Sequence, residues 1–333
     1  MKPLPRDKET LLVEAHSLGL FGPNPDLKKP RAKLVEYINS SGVTGRSMNH
    51  VSILLVGLTG GGKSCTINHL LNTKDEIAKT NDSESETRST QEFIVYGSAP
   101  QFEVEELPLG IVDTPGFCDT DGTYQDACNI FSIQDFFRTH PKLTGHYPNL
   151  IFVVLKANDN RLKGENSRLT KSLRCVKLLK LVDPINPNVV AVITHACEGP
   201  HAFRNVDRWR EKMETIKTTV ETIISEALKV TAPVVVVENK YGKEDYGLEV
   251  VGDYTRLPNK VLQPKNLYDA CANVLKNNND NLGLITLNSI FASSTKVPPP
   301  KPGHKVEAKN ATSCKLDDEE RKFVDVLERT SRG

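Results

Sequence analysis

The segment best suited to chemistry is rich in glycine and ends in a lysine and a serine: Gly57-Leu58-Thr59-Gly60-Gly61-Gly62-Lys63-Ser64. It matches the pattern G-x-x-x-x-G-K-[ST], whose glycines let backbone N–H groups turn inward around phosphate oxygens. Lys63 adds a charge for the β- and γ-phosphates, and Ser64 offers a hydroxyl to Mg²⁺. The segment predicts a phosphate-binding loop for a nucleotide with Mg²⁺. The expected contacts are Thr59, Gly60, Gly61, Gly62, Lys63, Ser64 and Cys65.

The sequence on both sides of this loop supports the interpretation. An apolar run at 51–56 predicts a buried strand before it, and 65–71 has the apolar spacing of a helix after it. The alternative is a glycine-rich turn without a ligand. That alternative does not account for a strand and a helix at the two ends, which the phosphate-binding loop requires.

A second motif, Asp113-Thr114-Pro115-Gly116, follows the apolar run that ends at Val112. An aspartate at a strand end can hold Mg²⁺ through water, and the glycine N–H can bond the γ-phosphate and register its loss. Asp113 and Gly116 are therefore candidate metal and nucleotide residues. This D-x-x-G motif makes the phosphate-loop prediction more specific.

The segment between the two motifs is rich in hydroxyl groups, at residues 83–90. One of them can ligate Mg²⁺ when a triphosphate is bound. A hydroxyl-rich surface loop is the alternative, and only the position of the segment favours the metal role.

The elements that must position these residues alternate between apolar, β-branched runs and helical patterns. This alternation predicts a doubly wound α/β sheet, mostly parallel, with helices on both faces. We expect strands at 51–56, 91–96, 107–112, 150–155, 189–193 and 234–237. The run 91–96 opens with polar residues and suits an antiparallel edge, while the other five are apolar enough to be central. We expect helices at 64–71, 166–181, 206–228 and 265–275, and a packed helix at 130–137.

The chain divides into three predicted parts. Residues 1–48 form a helical N-terminal extension, 49–293 the nucleotide-binding domain, and 294–333 a proline-rich linker with a charged tail. The N-terminal part weakly resembles a SAP-type helix-loop-helix, a nucleic-acid-binding module. The alternative is a helical extension that packs on the main domain. The tail is expected to be disordered or a single exposed helix, with a short amphipathic pattern that suits a partner groove.

Composition excludes several classes of protein. The net charge of +1 over 333 residues gives no indication of nucleic-acid binding. Seven cysteines without C-x-x-C or zinc-ligand spacing indicate reduced thiols in the cytoplasm. No apolar run reaches the roughly 18 residues of a membrane span. We therefore expect no transmembrane segment, and any membrane attachment to be peripheral or through a partner.

Taken together, the motifs resemble the septin-related GTPases, which include the immunity-associated nucleotide-binding (GIMAP) family and the Toc receptor GTPases of the chloroplast envelope. The resemblance covers about 51–239. It rests on the phosphate-binding loop, on 113–117, and on Ser85-Glu86-Thr87-Arg88, which is similar to the S-x-T-[KR] of switch I. It implies a P-loop GTPase fold that binds GTP or GDP with Mg²⁺. It also implies that Thr87 ligates the metal and the γ-phosphate.

The resemblance extends to the part that contacts the base. The run Val192-Ile193-Thr194-His195-Ala196 is similar to the T-H-A of Toc proteins, where other GTPases carry [NT]-K-x-D. This match implies that His195 stacks on the base in place of the usual lysine stem. Glu238 and Asn239 resemble the E-N that contacts the base in the Toc branch. The alternative for His195 is a hydrogen-bonded histidine at a strand end.

The position of the guanine-binding aspartate is occupied by Cys197, a weak acceptor at best. Because a base-binding site discriminates by leaving groups unpaired when the wrong ligand enters, we expect weaker guanine preference unless Glu198 or Glu238 substitutes. This departure leaves a relaxed-specificity NTPase as an alternative.

A second departure affects hydrolysis. Phe117 stands where Ras-like proteins carry the glutamine that orients the attacking water, and a phenyl ring cannot do this. We expect slow intrinsic GTP hydrolysis, typical of a switch or an assembling GTPase. Arg161 occupies the place of a Toc arginine that reaches the partner's nucleotide, which implies a nucleotide-dependent homodimer. The alternatives are a solvated surface arginine and a nucleotide-locked scaffold that binds protein partners without turnover.

Overall fold

In the computed structural model, the described residues are 46, 50–71, 78, 80, 90–99, 104–118, 123–140, 142–143, 146–159, 162, 164, 167–198, 202–239 and 248–292. The predicted N-terminal helices and the C-terminal tail lie outside these ranges. The boundaries at 48 and 293 therefore stay predictions.

The main sheet has six strands, in the order β2-β3-β1-β4-β5-β6. They are β1 (Val51–Gly57), β2 (Gln91–Ala99), β3 (Val104–Asp113), β4 (Leu150–Lys156), β5 (Val189–Thr194) and β6 (Val234–Val236). β2 is antiparallel to β3, and the other pairs are parallel. The predicted α/β sheet with an antiparallel edge strand is confirmed.

The prediction that the remaining five strands are central is wrong for β6. This strand pairs with β5 and forms the other edge of the sheet. It is apolar because both of its faces are covered: Val236 packs in the core on one face, and Val235 packs in the core on the other. Burial by helices gives an edge strand the same composition as a central one.

Six helices are described: α1 (Lys63–Leu71), α2 (Thr123–Thr139), α3 (Arg168–Leu179), α4 (Val206–Leu228), α5 (Lys265–Asn277) and α6 (Asn281–Ala292). α2, α3 and α4 pack on one face of the sheet, and α1, α5 and α6 pack on the other. α3 is shorter than predicted because Ser167 caps its start and Lys180, at φ +55°, ends it. None of the described helices combines the length and apolarity that a membrane crossing needs.

The prediction omits α6 and a small second sheet. That sheet consists of β7 (Glu249–Val251), β8 (Tyr254–Arg256) and β9 (Leu262–Gln263), all antiparallel. Its strands have two or three residues each, too short for an alternating pattern to stand out. β9 matters for the site because its last residue, Gln263, reaches the end of β6.

A buried polar cluster joins three of these elements on one face of the sheet. Glu92 of β2 accepts hydrogen bonds at 2.9 Å from Nε2 of His50, just before β1, and from Nε2 of His140, just after α2. The atoms that these three side chains could offer to a metal ion lie within 4.8 Å of one another, so a metal site is the alternative interpretation of the cluster. However, the Lys142 N–H donates to His140 Nδ1 at 3.2 Å. The proton of His140 is therefore on Nε2, which favours the hydrogen-bonded cluster over metal ligation.

The cluster is expected to stabilise the fold above the acid range. Burial alone would raise the pKa of Glu92, but the hydrogen bonds from His140 and His50 outweigh it and lower the pKa to about 2. The resulting stabilisation is complete above the carboxyl's unfolded pKa and is lost as the pH falls through the folded value. It is on the order of 3 kcal/mol.

Replacing Glu92 by Gln should therefore lower the free energy of unfolding at pH 7, as measured by urea denaturation. The difference from the wild type should shrink as the pH falls from 5 towards 2. Glu226→Gln, on the exposed face of α4, is the control and should have little effect. A loss in Glu92→Gln that does not change with pH would contradict this account.

Candidate nucleotide-binding site

The predicted phosphate-binding loop connects β1 to α1 at the edge where the parallel strands end. Gly62 has φ +90°, a conformation that favours glycine, and its carbonyl accepts the Thr66 hydroxyl at 2.8 Å. Lys63 is 5% exposed, and its Nζ lies 3.2 Å from the Leu58 carbonyl. The lysine thus folds back over the loop, where its charge faces the space that the loop surrounds.

The two predicted metal ligands of the described chain meet directly. The Ser64 hydroxyl donates to Asp113 Oδ2 at 2.6 Å, across 49 positions of sequence. Asp113 is 2% exposed, and its Oδ1 accepts the Thr114 N–H at 3.0 Å, which fixes the carboxylate. A serine hydroxyl and a carboxylate are oxygen ligands of the kind Mg²⁺ prefers. The third predicted ligand, Thr87, lies outside the described residues.

The D-x-x-G segment is bonded to the loop through its backbone. The Phe117 N–H donates to the Gly57 carbonyl at 2.9 Å, and the Thr59 N–H donates to the Phe117 carbonyl at 3.2 Å. A Cβ on Gly116 would overlap Thr59, so only glycine allows this approach. The Phe117 side chain is fully buried in the core that includes Ile130 of α2. Its ring therefore points away from the phosphate side.

Two residues from the end of β5 and the segment after β6 hold the loop by hydrogen bonds. The Thr194 hydroxyl, at the end of β5, donates to the Gly61 carbonyl at 2.7 Å. The Asn239 amide donates to the Gly62 carbonyl at 3.2 Å and to the Thr66 hydroxyl at 3.1 Å. The predicted base contact Asn239 thus also holds the loop against α1. Its Oδ1 is buried and has no hydrogen-bond partner within the described part of the chain.

His195 lies beside the same loop in a left-handed backbone conformation, at φ +56°. Its Nδ1 is 2.8 Å from the Thr194 hydroxyl. A Cβ on Gly62 would be 3.3 Å from its Cε1, so the half-buried ring adjoins the end of the loop. A left-handed residue other than glycine is uncommon and is held by its surroundings. This position suits the predicted stacking on a base.

A buried carboxylate lies beside Cys197, the residue that stands where other GTPases carry the guanine-binding aspartate. The Cys197 N–H donates to Glu238 Oε2 at 2.8 Å, and Glu238 is 1% exposed. Burial raises the pKa of the Cys197 thiol, and the nearby charge of Glu238 raises it further, so the thiol stays protonated. Glu198, the other predicted substitute, is exposed and accepts from the Asn158 amide. Of the two carboxylates, Glu238 is the one held against Cys197.

Gln263 fixes Glu238 from the small sheet. Its Oε1 accepts the Glu238 N–H at 2.7 Å, and its Nε2 donates to the Glu238 carbonyl at 2.9 Å and to the Thr255 hydroxyl at 3.0 Å. Gln263 is fully buried. The paired amide bonds hold the end of β6 in place, so the Glu238 carboxylate is positioned by a residue 25 places further along the chain.

In the described part of the chain, most of the predicted site residues lie together at the end of the sheet where the parallel strands terminate. The residues brought together are Thr59, Gly60, Gly61, Gly62, Lys63, Ser64, Cys65, Asp113, Gly116, His195, Glu238 and Asn239. Thr87 and Arg161 lie outside the described residues. The prediction missed Thr194 and Gln263 as site residues. The sequence did contain a signal for Thr194, which is the first residue of the segment that was compared with [NT]-K-x-D. Gln263 belongs to no sequence motif that would have indicated its role.

Comparison with known proteins gives a family for this domain. A family model described as "50S ribosome-binding GTPase" matches residues 52–240. GTP-binding protein A of Dictyostelium discoideum is 29% identical over 148 residues, which is 44% of this chain. The match spans only 28% of the length of that relative.

Solved structures give a weaker likeness. A dimerization-deficient mutant of Toc33 from Arabidopsis thaliana is 15% identical, with a TM-score of 0.49, over 86% of this chain and 93% of that one. Toc33 in complex with Mg²⁺ and GMPPNP is 15% identical, with a TM-score of 0.47, over 87% and 95%. Era from Aquifex aeolicus bound to GDP.AlF4- is 16% identical, with a TM-score of 0.36, over 61% and 58%. The assignment therefore rests on the family model.

We expect Glu238 to set the preference for guanine. Replacing it by Gln exchanges a charged acceptor for a neutral amide, which should weaken GTP binding about 10- to 100-fold and change ATP binding little. Glu198→Gln is the matched control and should bind both nucleotides as the wild type does. Calorimetric titration of each variant with GTP and ATP measures the effect. Equal losses for the two nucleotides would mean that Glu238 only supports the fold.

Proposed function

We propose that this chain, which belongs to the 50S ribosome-binding GTPase family, is a Mg²⁺-dependent GTP-binding protein with slow intrinsic hydrolysis. It acts as a nucleotide-dependent switch or an assembling GTPase. Within the family, the T-H-A and E-N motifs favour the septin-related group with the GIMAP and Toc proteins. The reduced-cysteine pattern favours a cytoplasmic location, with any membrane attachment peripheral or through a partner.

The contact between Ser64 and Asp113 carries the proposal. The hydroxyl and the carboxylate lie 2.6 Å apart, between the loop that surrounds the phosphates and the D-x-x-G segment. The hydroxyl of Ser64 and the carboxylate of Asp113 would hold a Mg²⁺ ion that accompanies the triphosphate, and the ion would supply charge neutralisation for the phosphates. The residues present therefore fit Mg²⁺, which would link the nucleotide to both segments. Loss of the γ-phosphate then changes the contacts of Gly116.

The burial of Phe117 supports slow turnover. Its ring lies in the core, and its backbone is bonded to the phosphate-binding loop. No side chain at this position orients or deprotonates the attacking water. The monomer should then stay in its triphosphate state for a long time, which suits a switch.

Lys63→Ala and Ser64→Asn test the nucleotide site in different ways. The first removes the positive charge for the β- and γ-phosphates and should weaken binding of both GTP and GDP. The second disturbs the Mg²⁺ ligand and should weaken GTP more than GDP. Equilibrium titration with fluorescent nucleotides measures both, with Lys212→Ala on the exposed side of α4 as a control. Unchanged GTP affinity in Lys63→Ala would contradict the proposed site.

We further propose that GTP promotes a homodimer through the nucleotide face, with Arg161 near the opposing phosphates. An arginine supplied in trans contributes about 10³ to 10⁵ in rate in other phosphoryl transfers, and we expect less here because Phe117 replaces the water-positioning glutamine. Sedimentation with a non-hydrolysable GTP analogue should show a dimer, and Arg161→Ala should associate more weakly. A monomer in both nucleotide states would remove the dimer from the proposal.

Two alternatives remain distinct from this function. A nucleotide-locked scaffold would show no single-turnover hydrolysis at any protein concentration, whereas a dimerising GTPase should speed up as the concentration rises. A relaxed-specificity NTPase, suggested by Cys197, would bind ATP as tightly as GTP. The buried Glu238 carboxylate beside Cys197 favours guanine preference over relaxed specificity.

A further inference from the structure

A cavity of about 440 Å³ lies outside the phosphate-binding loop. Leu58, Thr59 and Gly61 of the loop form one wall. The end of β4, the turn after it and the start of α3 form the other wall, with Lys156, Asn158, Asp159 and Arg168. Of the predicted site residues, only Thr59 and Gly61 line this cavity.

Lys156 places a cation at this cavity. Its ammonium makes no hydrogen bond or ion pair with any described residue, although the residue is half-buried. A Cβ on Gly60 would be 4.0 Å from its Nζ, so the charge lies next to the loop. A partly desolvated charge without a partner costs free energy, which an anion in the cavity would recover.

Arg168 provides a second cation. One of its guanidinium nitrogens, Nη2, donates to the Cys118 carbonyl at 3.1 Å, and the Cys118 thiol lies 3.8 Å from the Arg168 carbonyl. The guanidinium has five N–H donors, so this contact leaves others for an anion. Cys118 follows the D-x-x-G motif by two positions. Arg168 is therefore anchored to the segment that responds to the γ-phosphate.

The position of Thr59 shows which part of a nucleotide the cavity adjoins. Thr59 lines the cavity and lies directly against Gly116, whose N–H can bond a γ-phosphate. The base end of the site, at Cys197 and Glu238, contributes no residue to the cavity. The carboxylate of Asp159 also lines it, so among the described lining residues the two cations exceed the acidic charge by one.

We infer that Lys156 and Arg168 form a cationic subsite for the terminal phosphate of GTP, placed outside the phosphate-binding loop and within a single chain. The inference rests on the proposed GTP-binding function. Lys156 approaches the triphosphate across Gly60, and Arg168 approaches from the start of α3. Because GDP lacks the terminal phosphate, the subsite favours the triphosphate state and couples it to the segment that follows Gly116.

The test compares GTP with GDP. Lys156→Ala and Arg168→Ala should each weaken binding of a non-hydrolysable GTP analogue about 10-fold or more, as expected for a lost charge-assisted hydrogen bond, and should leave GDP affinity within about 2-fold. Lys156→Ala removes no hydrogen bond or ion pair to any described residue. Arg168→Lys keeps the charge and should retain most of the preference. Arg208→Ala, exposed on α4, is the control for loss of a surface charge.

The outcomes separate the two proposals. A wild type that binds no guanine nucleotide would overturn the proposed function and this inference with it. A wild type that binds GTP and GDP, with variants that keep its ratio of GTP to GDP affinity, would overturn the subsite alone. A loss confined to Arg168→Ala and equal for both nucleotides would assign Arg168 to holding Cys118 and would also overturn the subsite.

Discussion

The parallel pairing of β1 with both β3 and β4 is the constraint on which the site depends. In this register Leu54 lies opposite Val112, and Gly57 lies opposite Val154. The phosphate-binding loop, Asp113 and the end of β4 must therefore meet at one edge of the sheet. β5 continues the same register with Lys156 opposite Thr194. Residues far apart in sequence thus converge without any long loop having to bring them together.

The contacts at the same end of the sheet are the physical basis of the proposed slow hydrolysis. The bonds between Phe117 and the loop use backbone atoms, so the side chain is free to join the core under α2. A glutamine there would leave a polar group in an apolar core unless it turned outward. The chain thus gains packing at the position where Ras-like proteins carry the glutamine that orients the attacking water. Under the proposed function, this packing favours stability and a long-lived nucleotide-bound state over turnover.

Contiguous patterns predict much of the fold and the site. The glycine-rich loop, D-x-x-G and the apolar runs predict the positions of all six strands of the main sheet and place the antiparallel edge at β2. Other features depend on tertiary contacts that leave no local pattern. β6 has the composition of a central strand because helices bury it. The position of Glu238 depends on Gln263, whose side-chain amide is hydrogen-bonded to the backbone of Glu238. The guanidinium of Arg168 is held by the carbonyl of Cys118, 50 positions away.

Calorimetric titration of the wild-type chain with GTP, GDP and ATP, in the presence and absence of Mg²⁺, tests the central claim most directly. The account predicts saturable binding of GTP and GDP, weaker binding of ATP, and a GTP affinity that falls when Mg²⁺ is removed. Binding of none of the three nucleotides, or equal affinity for GTP and ATP that does not depend on Mg²⁺, would contradict it.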